Sequence, residues 1–225
     1  MNKTRISSQA FMACALLSSL SFAAHADGPT IGVDVGTRGL NLELGYSINQ
    51  QFGVRAVGTD MSASYTTTRN QTKYKGDLDL RSVSLLGDFY PMQGAFRITA
   101  GAVFYSDQFT GQAQAQNGIV IVNGTPFPVS PDDHINAKAT WPHSVVPYLG
   151  IGWGNPAFHK AGFGATADLG VIFTGRPTAT LTATGPDAAN PVLQSNLQQE
   201  QNKLNDDLHN ANVWPVASVG LYYGF

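Results

Sequence analysis

The sequence predicts an all-β fold, an eight-stranded antiparallel up-and-down transmembrane β-barrel with long extracellular loops and one short loop helix. Three observations carry this. Apolar residues alternate with glycine and small polar residues in segment after segment. Charged residues make up only 12% of the 225 positions while glycine occupies 24, and that charged share is about half the usual one. Short and long connections also alternate along the chain, as tight turns on one side of a membrane and extended loops on the other require.

Residues 1–26 read as a signal peptide and 27–225 as the transmembrane β-barrel. Lys3 and Arg5 make a positive start, and Phe11 to Phe22 form an apolar core interrupted by serines. That core is shorter than the ~20 residues of a spanning helix. Ala24-His25-Ala26 places the small residues Ala24 and Ala26 where a signal peptidase needs them, so cleavage after Ala26 is expected. Cys14 invites a lipoprotein reading, but Phe11-Met12-Ala13 before it lacks the usual leucine. Residues 27–225 hold no cysteine, so neither disulfides nor thiolate metal sites are expected. With 11 basic and 15 acidic residues, their formal charge of −4 is no footprint for nucleic acid.

Strands are predicted near 30–37, 39–48, 52–65, 76–90, 95–106, 144–154, 161–174 and 213–225. In the second, Leu40, Leu42, Leu44 and Tyr46 oppose Asn41, Glu43, Gly45 and Ser47. Phe96, Ile98, Ala100, Ala102 and Phe104 repeat the pattern, as do Phe163, Ala165, Ala167, Leu169, Val171 and Phe173. In the last, Val213, Ala217, Val219, Leu221, Tyr223 and Phe225 share one face. A water-soluble sandwich alternates too, but its outer face carries a Lys/Glu/Thr mixture. Here the non-apolar face is largely glycine with isolated charges, which suits a narrow lumen.

Short turns are expected at Asn49-Gln50-Gln51, Pro91 to Gly94 and Asn155 to Ala161, and long loops near 66–76, 106–144 and 175–212. The first pair of strands is critical, because it needs a tight hairpin at Thr37-Arg38-Gly39. Without it residues 30–47 form one strand and the count falls to seven. A further hairpin, Ile119 to Val122 against Phe127 to Val129, turns at Asn123-Gly124 and is expected above the membrane. Tyr46, Phe89, Phe96, Phe104, Trp153, Phe163, Phe173 and Tyr223 sit near strand ends, where interfacial girdles form.

The alternation turns six charges into the lumen: Asp34, Glu43, Arg55, Asp88, Arg97 and Asp168. Unpaired charges in so narrow an interior would cost several kcal/mol, so pairing is expected. Asp88 and Arg97 flank a short turn and should face one another, with Glu43 and Arg55 in diagonal contact. The set reads either as an ion-pair network that plugs the barrel and fixes register or as a gate in a small pore.

Catalytic signals are thin, and no enzymatic activity, metal or cofactor is expected. Asp132-Asp133 after Pro131 reads as a turn. His143 and Ser144 lie on opposite faces of a strand, so the histidine could not activate the serine locally. His134 and His143 are two lone histidines in a loop. In the last long loop, Asn190-Pro191 is a helix start. Leu193, Leu197, Leu204 and Leu208 then draw one apolar stripe over about four turns, ending before Trp214-Pro215. This helix should lie outside, against the barrel rim or as a partner site.

Ser218-Val219-Gly220-Leu221-Tyr222-Tyr223-Gly224-Phe225 resembles the C-terminal insertion signal of outer-membrane barrels, with Ser218, Gly220, Tyr223 and Phe225 at its key positions. More broadly, residues 27–225 resemble small eight-stranded outer-membrane proteins of the OmpA, OmpW and OmpX type. Val35-Gly36-Thr37, Leu86 to Pro91, Pro147 to Gly150 and Asp168 to Val171 are similar to a widespread family of such barrels. The resemblance implies a Gram-negative outer-membrane location reached through the periplasm. Its implied partners are outer-membrane lipid, lipopolysaccharide and the barrel-assembly machinery, with the protein monomeric. Two roles are open: a structural or surface-interaction barrel with a closed lumen, and a small channel or carrier for small, including apolar, solutes.

Overall fold

The structure is a computed structural model that describes residues 28–69, 72–115, 118–130, 132–154 and 161–225. The signal-peptide reading with Ala24 and Ala26, the turn over 155–160 and Pro131 fall outside the described residues.

Eight strands close into a ring. They are β1 (Pro29–Gly36), β2 (Gly39–Asn49), β3 (Phe52–Arg69), β4 (Thr72–Phe89), β5 (Phe96–Tyr105), β10 (Val145–Trp153), β11 (Gly162–Ile172) and β13 (Trp214–Gly224). Each is antiparallel to its neighbours, and β13 returns to β1 with Thr30 opposite Gly224 and Gly36 opposite Ser218. The critical hairpin forms. Gly36 pairs with Gly39 across a two-residue turn, and Gly39 takes φ 104°, a conformation that disfavours other residues. The count is therefore eight.

The alternation resolves into an inside and an outside. Val33, Val35, Leu40, Leu42, Leu44, Val83, Leu85, Leu149, Ile151, Leu169, Val219 and Leu221 all face outward and are exposed. Such a continuous apolar band belongs in lipid, where ring closure pairs every edge. Aromatic rings gather at the end holding both termini, where Phe163 packs against Tyr223 and Tyr223 against Phe225. Phe52 meets Phe89 there, and Phe96 lies opposite Trp153. The turn beside Tyr46 is set by the Asn49 side chain, which accepts from the N–H groups of Gln51 and Phe52 at 2.8 and 3.0 Å.

At the other end the wall rises well beyond the ring. A tilted strand crosses a bilayer in about 9–11 residues, yet β3 and β4 each have 18. Their upper halves are joined by β6 (Gln108–Ala115), β9 (His134–Thr140) and β12 (Thr178–Thr184), segments that the sequence reads as loop. Ser82 lies opposite Tyr105 and Asp79 opposite Gln108, so β5 and β6 are one strand broken at Ser106–Asp107. In the same way β9 leads into β10, and β11 into β12. Five strand positions thus continue upward, while β1, β2 and β13 stop at the rim.

This wall is two-faced. Ser62 and Ser64 donate to Asp79 and Asp77 on its polar face, at 2.7 and 2.6 Å. Its other face, which continues the lumen side, carries Tyr65, Leu78, Phe109, Ile135 and Leu181. The hairpin predicted above the membrane is present as β7 (Ile119–Val122) and β8 (Thr125–Pro128). Val122 and Phe127 of that hairpin bury Leu193 and Leu197 of helix α1 (Pro191–Asp207) against Ile135, Leu181 and Ala183. The helix therefore packs on the raised wall, and only the first half of its leucine stripe is fully buried.

The helix also closes the free edge of β12. Asn205 accepts from the N–H of Ala179 and donates to its carbonyl, and Gln201 accepts from the N–H of Leu181. The match is geometric: four residues of helix rise about 6 Å, close to two residues of strand. Asn190 caps the helix by accepting from Val192 and Leu193. Replacing Asn190 with alanine should cost the helix about 0.5–2 kcal/mol. Hydrogen exchange should then quicken over the first turn of α1 and stay unchanged in β13.

Candidate functional site

The lumen is the candidate site, and its chemistry begins with strand parity. Residues 34, 43, 55, 88, 97 and 168 all point inward and are nearly or fully buried, Arg97 at 0% exposure and Arg55 at 5%.

Two guanidiniums tie the walls together. Arg55 on β3 donates through Nε to Asp88 Oδ2 at 2.5 Å and through Nη1 to Glu43 Oε2 at 2.9 Å, and its Nη2 lies 3.4 Å from Asp168 Oδ1. Arg97 on β5 donates to Asp168 Oδ2 at 2.6 Å, to Thr166 Oγ1 at 2.7 Å and to the carbonyl of Gly154 at 2.5 Å. Thr99 donates to Asp88 at 2.6 Å. These bonds span β2, β3, β4, β5 and β11, crossing the interior from wall to wall.

The expected Glu43–Arg55 diagonal is present, since Gly45 lies opposite Arg55 on β2. The expected Asp88–Arg97 pairing is present as a diagonal ion pair, with Arg97 Nε 3.7 Å from Asp88 Oδ1, and only the directly facing register needs correction, since Thr99 lies opposite Asp88. The closer hydrogen bonds to Asp88 come from the fork of Arg55 on the neighbouring β3. Asp34 stands apart from both arginines and accepts from the Asn41 amide at 2.5 Å, while Asn41 in turn accepts from Thr59 at 2.6 Å.

Glycine on the inner wall provides room for this plug. A methyl group on Gly152 would collide with the Arg97 guanidinium and Asp168, one on Gly170 with the Tyr148 ring, and one on Gly164 with the Tyr222 ring. The tyrosines and Arg97 lie close against these bare backbones, which is how one lumen holds such large side chains.

Above the arginines the lumen changes character. Leu86, Val103, Val146 and Ile172 pack with Tyr105 and Tyr148 into an apolar cluster. Between this cluster and Asp34, Asn41 and Glu43 lies a cavity of about 60 Å³, room for roughly four waters. Its roof includes Arg38, from the tip of the β1–β2 turn. Arg38 reaches across the mouth to Asp107 at 2.9 Å and Ser82 at 3.4 Å, and its guanidinium lies 5.6 Å from the Trp214 ring centre. Burial pushes the Asp107 carboxyl above the usual carboxylate range, partly opposed by Arg38 and by the Arg81 N–H. Protonation should therefore release Arg38 at a higher pH than an exposed aspartate would.

Sequence reasoning misses Arg38, Asp107 and Trp214, since a turn arginine ordinarily points to solvent. Asn41, Thr59, Thr99 and Thr166 could have been found, because they share inward parity with the charges. The other candidates lie elsewhere. Asp133 accepts from the N–H groups of Asp187 and Ser130 as a loop clasp, and His143 and Ser144 are exposed. Ser218 and Gly220 face the lumen from β13, Gly220 against Asp34, while Tyr223 and Phe225 belong to the aromatic cluster.

No protein-family model matches the chain, and no curated protein matches it. Among solved structures it is similar to Acinetobacter baumannii CarO, with 21% identity, a TM-score of 0.58, and 88% of this chain covering 98% of that one. It is likewise similar to Acinetobacter baumannii CarO2, with 21% identity, a TM-score of 0.60, and 89% of this chain covering 100% of that one. At that identity the likeness is one of fold, and the chain shares the architecture of these two proteins.

Proposed function

We propose that this protein is an integral outer-membrane barrel with a closed lumen and a structural or surface-interaction role. The observation that carries the reading is the buried Arg55–Arg97 network, which bonds carboxylates on β2, β4 and β11 across the interior. The outer-membrane assignment is supported by the apolar outer band, by the signal sequence read over residues 1–26 and by the insertion-signal pattern Ser218, Gly220, Tyr223 and Phe225. Lipopolysaccharide and outer-membrane lipid are the partners that such a band and raised wall would meet, the protein acting as a monomer inserted by the barrel-assembly machinery.

A second reading, a narrow channel or carrier for small solutes, is favoured by the cavity above the network and its apolar wall. Planar-bilayer recording on refolded protein separates the two. Silence is expected from the wild-type protein, and discrete conductance from Arg97→Ala once the plug is weakened. Steady conductance from the wild type would overturn the closed reading. If folded Arg97→Ala stays silent, Arg97 is no gate.

A further inference from the structure

We infer that Arg38 is a displaceable latch on the extracellular mouth, and that its withdrawal opens the lumen cavity outward while the Arg55–Arg97 floor stays shut. The inference rests on the reading of a lumen sealed by that floor.

The side chain of Arg38 is not needed by the turn that carries it. The β1–β2 turn is held by the strand pairing up to Gly36 and Gly39 and by the φ of 104° at Gly39. The bonds that Arg38 makes run across the mouth instead, to Asp107 at the β5–β6 break and Ser82 on β4, while the Trp214 ring on the neighbouring β13 flanks its guanidinium. A change of rotamer would therefore remove the roof without disturbing the ladder.

The closed pose is also incompletely satisfied. Arg38 Nε is buried and finds no hydrogen-bond partner among the described residues, which lowers the cost of leaving that pose. Asp107 sits where the wall strand is interrupted, its Oδ1 accepting the backbone N–H of Arg81 at 3.1 Å. That second bond keeps the carboxylate in place when Arg38 departs, so the latch has a fixed keeper and one moving part.

What lies on either side gives the latch something to separate. Below is the cavity of about 60 Å³ with Asp34, Asn41 and Glu43 on one wall and Leu86 and Val103 on another. Above is the inner face of the raised wall, where Tyr65, Tyr74 and Phe109 are exposed. On β4 the inward positions run Tyr74, Gly76, Leu78, Leu80, Ser82, Ser84 and Leu86 in unbroken alternation, from outside to cavity. Arg38 crosses that line at Ser82.

The test places a thiol under the latch. Ser84 lines the cavity and is nearly buried, so Ser84→Cys in a Cys14→Ser background gives one reporter cysteine. A small methanethiosulfonate reagent is added from the extracellular side to protein inserted in membranes, and folding is verified by heat-modifiable migration. Slow labelling is expected with the latch intact, with an increase of at least tenfold on adding Arg38→Ala or, independently, Asp107→Asn. Equal rates with and without Arg38, or rapid labelling behind an intact latch, would overturn the inference. Failure of the closed-lumen reading is distinguishable, because it shows as wild-type conductance regardless of the labelling rates.

Discussion

Arg55→Ala should lower the free energy of unfolding by about 3–5 kcal/mol, because removing one partner of a buried ionic network strands the others. Three carboxylates lie within 3.4 Å of that one guanidinium, those of Glu43, Asp88 and Asp168. Arg97 already holds Asp168, Thr166 and the Gly154 carbonyl and approaches Asp88 only to 3.7 Å, so Glu43 would keep no ion pair among the described residues. Urea unfolding in lipid vesicles, followed by the fluorescence of Trp141, Trp153 and Trp214, would measure the loss. The cost should come from the unpaired charges and not from lost volume. Arg55→Met should therefore be nearly as damaging, and Arg55→Met combined with Glu43→Gln and Asp88→Asn should recover most of the stability. If Arg55→Met alone were harmless, the network would be a packing filler without electrostatic weight.

A charge on the outer face tests the other half of the architecture. Leu44 lies mid-strand on β2, exposed on the apolar band. In a bilayer Leu44→Arg should cost about 2–4 kcal/mol, the penalty for arginine near the midplane of a barrel. Thr180→Arg, on the polar face of β12 above the rim, should be close to neutral. Unfolding titrations of both variants in the same vesicles give the comparison. Equal effects would mean that the band does not face lipid.

Much of this molecule is legible in its residues because a barrel in lipid obeys a strict local rule. Every second side chain faces hydrocarbon and the others share a narrow interior, so Leu40 to Tyr46 or Phe96 to Phe104 declare their face without knowledge of their neighbours. The same parity turns Asp34, Glu43, Arg55, Asp88, Arg97 and Asp168 inward. The helix start at Asn190 is equally local, since the cap side chain bonds N–H groups two and three residues away. By contrast β6, β9 and β12 are rich in threonine, alanine and glutamine and face water on one side. Their strand character comes from pairing with the upper half of β4 and with one another, so nothing within each segment announces it.

The residues by themselves determined a barrel, its inner and outer faces, and which charges enter the lumen. Only the tertiary structure decided how the charges beyond the Glu43–Arg55 pair meet, that Arg38 roofs the cavity, and that five strand positions rise above the rim. Parity is a property of one strand, set by the backbone at every second residue. Partner choice depends on register between strands far apart in sequence: the closest bonds of Asp88 go to Arg55 across the β3–β4 ladder and those of Arg97 to Asp168, leaving Asp88 and Arg97 3.7 Å apart. The same distance hid the latch, because Arg38 and Asp107 are 69 residues apart and meet only when the ring closes.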